Sequence, residues 1–124
     1  MSDDGFDTIQ RLVAADGRYR REAYEFTLEA LTWTLSRHRR EGRVGHINGE
    51  ELCDGIRELA NRSFGFLTKT VFARWGVTRT EDFGEIVFAM ADAELLAKQE
   101  TDSKADFANG YDFDEVFEQA LIYE

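Results

Sequence analysis

Between Tyr19 and Glu41 the chain keeps a helical apolar repeat over two adjoining stripes, and this segment constrains the fold more than any other. Projected at ~100° per residue, Tyr19, Ala23, Phe26, Ala30 and Trp33 form one stripe, and Tyr24, Leu28, Leu31 and Leu35 form the second. Glu22, Glu25, Glu29 and Ser36 leave only a narrow polar strip. A helix apolar over so much of its circumference must be covered on two sides, which predicts a central helix with other helices against it.

The punctuation of the chain supports that architecture. Proline is absent, so glycines and side-chain caps must set the boundaries. A short helix is expected from Asp7 to Ala15, ending at Asp16-Gly17, and Gly42 is expected to end the central helix. Asn48 with Glu51 three residues on reads as a capping box, and Ile47 and Leu52 occupy the positions of a hydrophobic staple. The helix they open carries Leu52, Ile56, Leu59 and Ser63 on one face and stops at Gly65. Phe66 to Trp75 forms a shorter helix closed by Gly76. Thr80 is expected to cap the next, which turns Phe83, Ile86, Val87 and Met90 inward. Leu95 to Gln99 reads as a short strand leaving that helix, and Asn109-Gly110 as a turn. Asp112 with Glu115 repeats the capping-box pattern, with Tyr111 and Val116 as its staple, and Val116, Phe117, Ala120 and Leu121 dock the last helix. The fold expected is mainly α: a compact single domain over residues 1–124 with five or six helices, a flexible N-terminus at residues 1–5, and room for a small β-hairpin in a winged-helix-like arrangement.

A chain of 124 residues, 43% hydrophobic and rich in Phe, is long enough to bury a real core. No apolar run approaches the ~18 residues of a membrane span, and the N-terminus has neither the basic nor the apolar part of a leader. Cys53 is the only cysteine, so no internal disulfide can form. These features lead us to expect a cytoplasmic protein with no membrane partner.

Charge separates along the chain. Eight arginines balance eight acids up to residue 43, and the remainder carries the whole net charge of -10. From Glu81 onward only Lys98 and Lys104 oppose thirteen Asp and Glu residues. Coating of DNA in general needs clustered cations to neutralise phosphate, so this balance argues against it. In a winged helix the recognition helix would be Thr80 to Ala93, which bears Glu81, Asp82, Glu85 and Asp92 and no cation, the opposite of what base readout needs.

No catalytic constellation stands out. Cys53 could take His46 or His38 as a base, but its apolar flanks on an amphipathic helix mark it as a small core hydrophobe. No nucleophile elbow, phosphate loop or dinucleotide fingerprint occurs. His38, His46, Cys53 and Asp54 match no zinc spacing, and Asp102, Asp106, Asp112 and Asp114 lack the glycine and ligand register of an EF-hand. Glu25 and Glu29, one turn apart, read as solvated like charges. The chain is therefore read as a non-enzyme, with no catalytic residue, cofactor or metal assigned.

What remains is the basic corner, where Arg37, Arg39, Arg40, Arg43 and His46 are the candidate partner-binding residues and His38 is expected on the same solvated face. The helix dipole also favours cations at this end. The leading expectation is a non-enzymatic protein-interaction or regulatory module that uses the basic Arg37 to Arg43 corner or the acidic C-terminal region to contact an unidentified macromolecule, most simply a protein. The alternative is a nucleic-acid-associated protein, RNA or DNA, using the arginine cluster. A homodimer is compatible with either, with Arg20 and Arg21 pairing to the Asp112 to Glu115 segment within or between molecules.

Four segments together carry a likeness: Arg18-Tyr19-Arg20-Arg21-Glu22-Ala23-Tyr24-Glu25-Phe26; His46-Ile47-Asn48-Gly49-Glu50-Glu51-Leu52; Trp75-Gly76-Val77 with Thr80-Glu81-Asp82-Phe83-Gly84-Glu85-Ile86-Val87-Phe88; and Gly110-Tyr111-Asp112-Phe113. In this order they resemble a small uncharacterised bacterial protein family of about this length with no assigned function. The resemblance implies one self-contained domain in a bacterial cytosol, and implies no activity or site.

Overall fold

The computed structural model describes residues 4–43, 45–96, 104–108 and 110–117. The elements are α1 (Asp4–Ala15), α2 (Arg21–Arg40), α3 (Gly49–Phe64), a 3-10 turn (Gly65–Leu67), α4 (Thr68–Trp75), α5 (Thr80–Asp92), a second 3-10 turn (Lys104–Phe107) and α6 (Phe113–Phe117). The architecture is mainly helical, and no strand occurs among the described residues. The expected wing strand begins as a bend at Leu95-Leu96, because α5 stops in a left-handed turn at Glu94 (φ 65°) and Leu95 N–H returns to Met90 O. Its remainder, Ala97 to Gln99, lies outside the described residues. So do Met1 to Asp3 of the expected flexible N-terminus, whereas Asp4 and Gly5 already belong to α1. Asn109 of the expected turn and Ala120 and Leu121 of the last helix also lie outside.

As its two apolar stripes require, α2 is central and packs against α1, α3, α4 and α5. One stripe delivers Phe26 to an aromatic core around Phe72, which is wholly buried. The rings of Phe26, Trp75, Phe83, Phe113 and Phe117 lie with centroids 5.4 to 5.7 Å from that of Phe72, most in tilted or edge-on geometry. A third buried stripe was not legible as apolar: Thr27, Ala30, Thr34 and His38 face inward. Thr27 and Thr34 satisfy their hydroxyls on the carbonyls of Ala23 and Ala30, both at 2.7 Å, so these polar residues enter the core at little cost. Against Thr34 lies Gly55 of α3, where an added Cβ would fall 1.8 Å from the threonine oxygen. The two helices cross at the distance a missing side chain permits.

The loop ends follow the glycines and caps. Gly42 N–H bonds Arg39 O and Arg43 N–H bonds His38 O, the paired closing bonds of a Schellman turn. α4 closes the same way at Gly76 (φ 91°), where a Cβ would sit 2.0 Å from the Arg18 carbonyl oxygen. Only glycine allows that approach, and it lets Arg20 N–H donate to Trp75 O at 3.0 Å, tying the start of α2 to the end of α4.

The capping box at Asn48 forms as expected: Asn48 Oδ1 accepts from Glu51 N–H, and Glu51 Oε1 accepts from Asn48 N–H, both at 2.8 Å. Asp112 caps α6 by accepting from Asp114 N–H at 2.8 Å. Thr80, expected as a cap, does something else. It is buried, donates to Phe107 O at 2.6 Å and accepts from Gly110 N–H at 3.1 Å, fastening the start of α5 to the end of the second 3-10 turn and to Gly110 beyond it. The cap role at α5 passes to Asp82, whose Oδ2 accepts from Thr78 and Arg79 N–H while Oδ1 accepts from buried Tyr19 at 2.6 Å.

Within the molecule, the expected pairing of Arg20 and Arg21 with the Asp112 to Glu115 segment is not the one observed. Arg21 pairs with Glu25 on its own helix, Arg20 Nε donates to Arg74 O, and Asp114 pairs with Lys69. Each cation takes the acid or carbonyl that its own helix or packing neighbour already presents.

The Glu51 carboxyl is held below the usual carboxylate range, first by the Asn48 N–H it accepts from; burial opposes this, and the Arg43 guanidinium 2.6 Å away adds to the lowering. A carboxylate whose folded value is depressed stabilises the fold fully above its ordinary value of ~4.3 and loses that contribution as pH falls toward the folded one. Glu51→Gln should therefore flatten part of the acid limb of a stability-against-pH curve below about pH 4.5. At neutral pH it should cost about 1 kcal/mol in urea denaturation, the worth of a helix cap.

Candidate functional site

The basic corner is built by the last turn of α2 and the loop to α3. The side chains expected to act together divide here into two groups. Arg37 pairs with Glu58 of α3 and lies 3.8 Å from Glu41, with its guanidinium 5.4 Å from the Trp33 ring centre. Arg62 approaches the same ring at 5.9 Å. Arg43 pairs with Glu51 at 2.6 Å and with Glu41 at 3.8 Å. These two arginines are thus tied to acids of their own molecule. Arg39 and Arg40 are exposed and make no ion pair among the described residues. His46 is exposed as well.

His38 corrects the expectation of a solvated face. It is buried at 7% exposure with Nε2 unpartnered, because it follows Thr34 by four residues on the stripe that α3 covers. The run Arg37-His38-Arg39-Arg40 looks uniformly basic in sequence, yet helical phase sends its second member inward.

Cys53 is also buried, and burial foremost pushes its thiol up to about 12, with Asp54 and Glu50 adding to the effect. It is neither a thiolate at neutral pH nor accessible. In the native protein iodoacetamide should leave Cys53 unmodified over hours at pH 8, and should modify it stoichiometrically in denaturant, as read by intact mass. The backbone carbonyl of Cys53 accepts the Tyr111 hydroxyl at 2.7 Å, and burial raises that phenol too. Among the described residues no three His, Cys, Asp or Glu side chains converge as metal ligands, and no helix is long and apolar enough to cross a membrane.

Beside the corner lies a feature that sequence reasoning missed. A cavity of about 240 Å³ opens between α2, the start of α3 and α5, walled by Leu31, Leu35, Ile47, Leu52, Val87 and Leu96, with His46 and Asn48 at one side. Leu31 and Leu35 were read as a packing stripe, but both stay half-buried because they face this space. The only hint in the sequence was an apolar stripe wider than its neighbours could cover.

Comparison with protein-family models, with curated proteins and with solved structures finds no match for the chain.

Proposed function

We propose that the protein is a non-enzymatic interaction module that docks an acidic patch of a protein partner on the end of α2. The observation that carries this reading is the division of the basic corner: Arg37 and Arg43 are tied to Glu58, Glu41 and Glu51, while Arg39 and Arg40 stay exposed and without an ion pair among the described residues. Two neighbouring guanidiniums suit a carboxylate pair on a protein surface. A nucleic-acid backbone would meet too few free cations here and, elsewhere, a net charge of -10. The winged-helix alternative has less support still, since α5 carries Glu81, Asp82, Glu85 and Asp92 on the helix that would read bases. We assign a bacterial cytoplasmic setting, in which the lone buried Cys53 needs no partner.

The test is capture of the tagged chain with its bound proteins from its native cell at low salt, with and without nuclease, alongside the Arg39→Glu/Arg40→Glu variant. The expected result is one stoichiometric protein that survives nuclease and is lost with the charge reversal. Recovery of ribosomal or chromosomal proteins that nuclease removes would establish the nucleic-acid reading instead. Capture indifferent to the reversal would show that the corner is not the contact.

A further inference from the structure

We infer that the cavity beside the basic corner binds a small aliphatic carboxylate, a chain of medium length with its anionic head at His46 and Asn48. Protein interiors pack as tightly as organic crystals, and voids larger than a water are few. An apolar space of about 240 Å³ is well beyond that. It exceeds the ~150 Å³ cavity known to take up benzene and falls short of the ~300 Å³ of the smallest drug-sized sites, which sets the chain at about six to ten carbons.

The walls decide the class of ligand. Leu31 and Leu35 from α2, Ile47 and Leu52 around the start of α3, and Val87 from α5 offer only methyl groups. The polar side is different in kind. His46 is exposed and Asn48 spends Oδ1 on Glu51 N–H, leaving its amide N–H₂ to donate. In a chain with 25 acidic residues, no Asp or Glu is among the described residues that line the cavity. Arg39 stands one helical turn beyond Leu35 on the same side of α2, exposed and without an ion pair among the described residues. An apolar slot with His46 and Asn48 as its polar side, Arg39 one turn beyond Leu35, and no carboxylate among the described residues that line it selects an acyl chain with an anionic head over an amine or a neutral alcohol. This inference does not depend on the partner assigned to Arg39 and Arg40.

The test is calorimetric titration of the full chain with hexanoate, octanoate and decanoate, and with 1-octanol and octylamine for comparison. Octanoate should bind saturably at one site, hexanoate about tenfold more weakly, and octylamine not at all. In wild-type protein octanoate should move the methyl resonances of Leu31, Leu52 and Val87 and leave those of Val71 and Leu59 in place. Leu35→Trp, which fills the slot, should abolish binding. His46→Glu, at an exposed position, should weaken it about tenfold with the melting temperature unchanged. Absence of saturable octanoate binding would overturn the proposal, as would 1-octanol binding as tightly as octanoate, or methyl shifts confined to other parts of the core.

Discussion

Phe72→Ala should lower the free energy of unfolding by about 3–5 kcal/mol, the usual cost of removing a buried ring. Phe72 is 0% exposed and its ring is the common neighbour of Phe26, Trp75, Phe83, Phe113 and Phe117, which arrive from α2, α4, α5 and α6. No one of those elements can move inward to refill the space without pulling away from the others, so the site should collapse poorly. Domains of this size are stable by about 5–15 kcal/mol, so such a loss removes a large share of the total. Urea denaturation followed by tryptophan fluorescence would read it directly, since Trp75 lies in the same cluster. Phe72→Leu, which keeps most of the volume, should recover more than half of the loss. A cost below about 1 kcal/mol for Phe72→Ala would mean that this ring is not the centre of the core.

Gly55→Ala should destabilise by about 2–3 kcal/mol, although alanine is the better helix former by nearly 1 kcal/mol. The added Cβ would meet Thr34 Oγ1 at 1.8 Å, Cβ at 3.1 Å and Cγ2 at 3.4 Å. Thr34 cannot simply turn aside: its hydroxyl donates to Ala30 O at 2.7 Å, and at 6% exposure any other rotamer leaves that hydroxyl buried without a partner. The helices must therefore separate along their longest shared face. A double-mutant cycle makes the cause testable. Thr34→Ala removes the oxygen and leaves only the 3.1 Å approach, so Gly55→Ala in that background should cost under about 1 kcal/mol. Equal costs in both backgrounds would place the damage elsewhere.

These two positions also separate what could be read along the chain from what could not. Phe72 lies in the short helix read from Phe66 to Trp75, among the adjoining apolar positions Leu67, Val71 and Trp75. Gly55 gave no local signal, because a mid-helix glycine is unfavourable by propensity and its reason stands on another helix. The same distinction runs through the candidate site. The exposed arginines Arg39 and Arg40 were legible as a charged cluster, and the capping box at Asn48 as a pattern of neighbours. The inward turn of His38 was masked by basic residues on both sides, and the cavity by leucines that look like any others facing a core.

By itself, then, the sequence determined the helices, several of their ends and the central place of α2, because periodicity, caps and glycine turns act between residues a few positions apart. Only the tertiary structure decided which cations are neutralised, that Thr80 fastens the chain to Phe107 and Gly110 instead of capping α5, and that Leu31 and Leu35 border an open apolar slot. Each of those depends on distances between segments far apart in the chain, set by how closely whole helices can approach, and no local pattern encodes them.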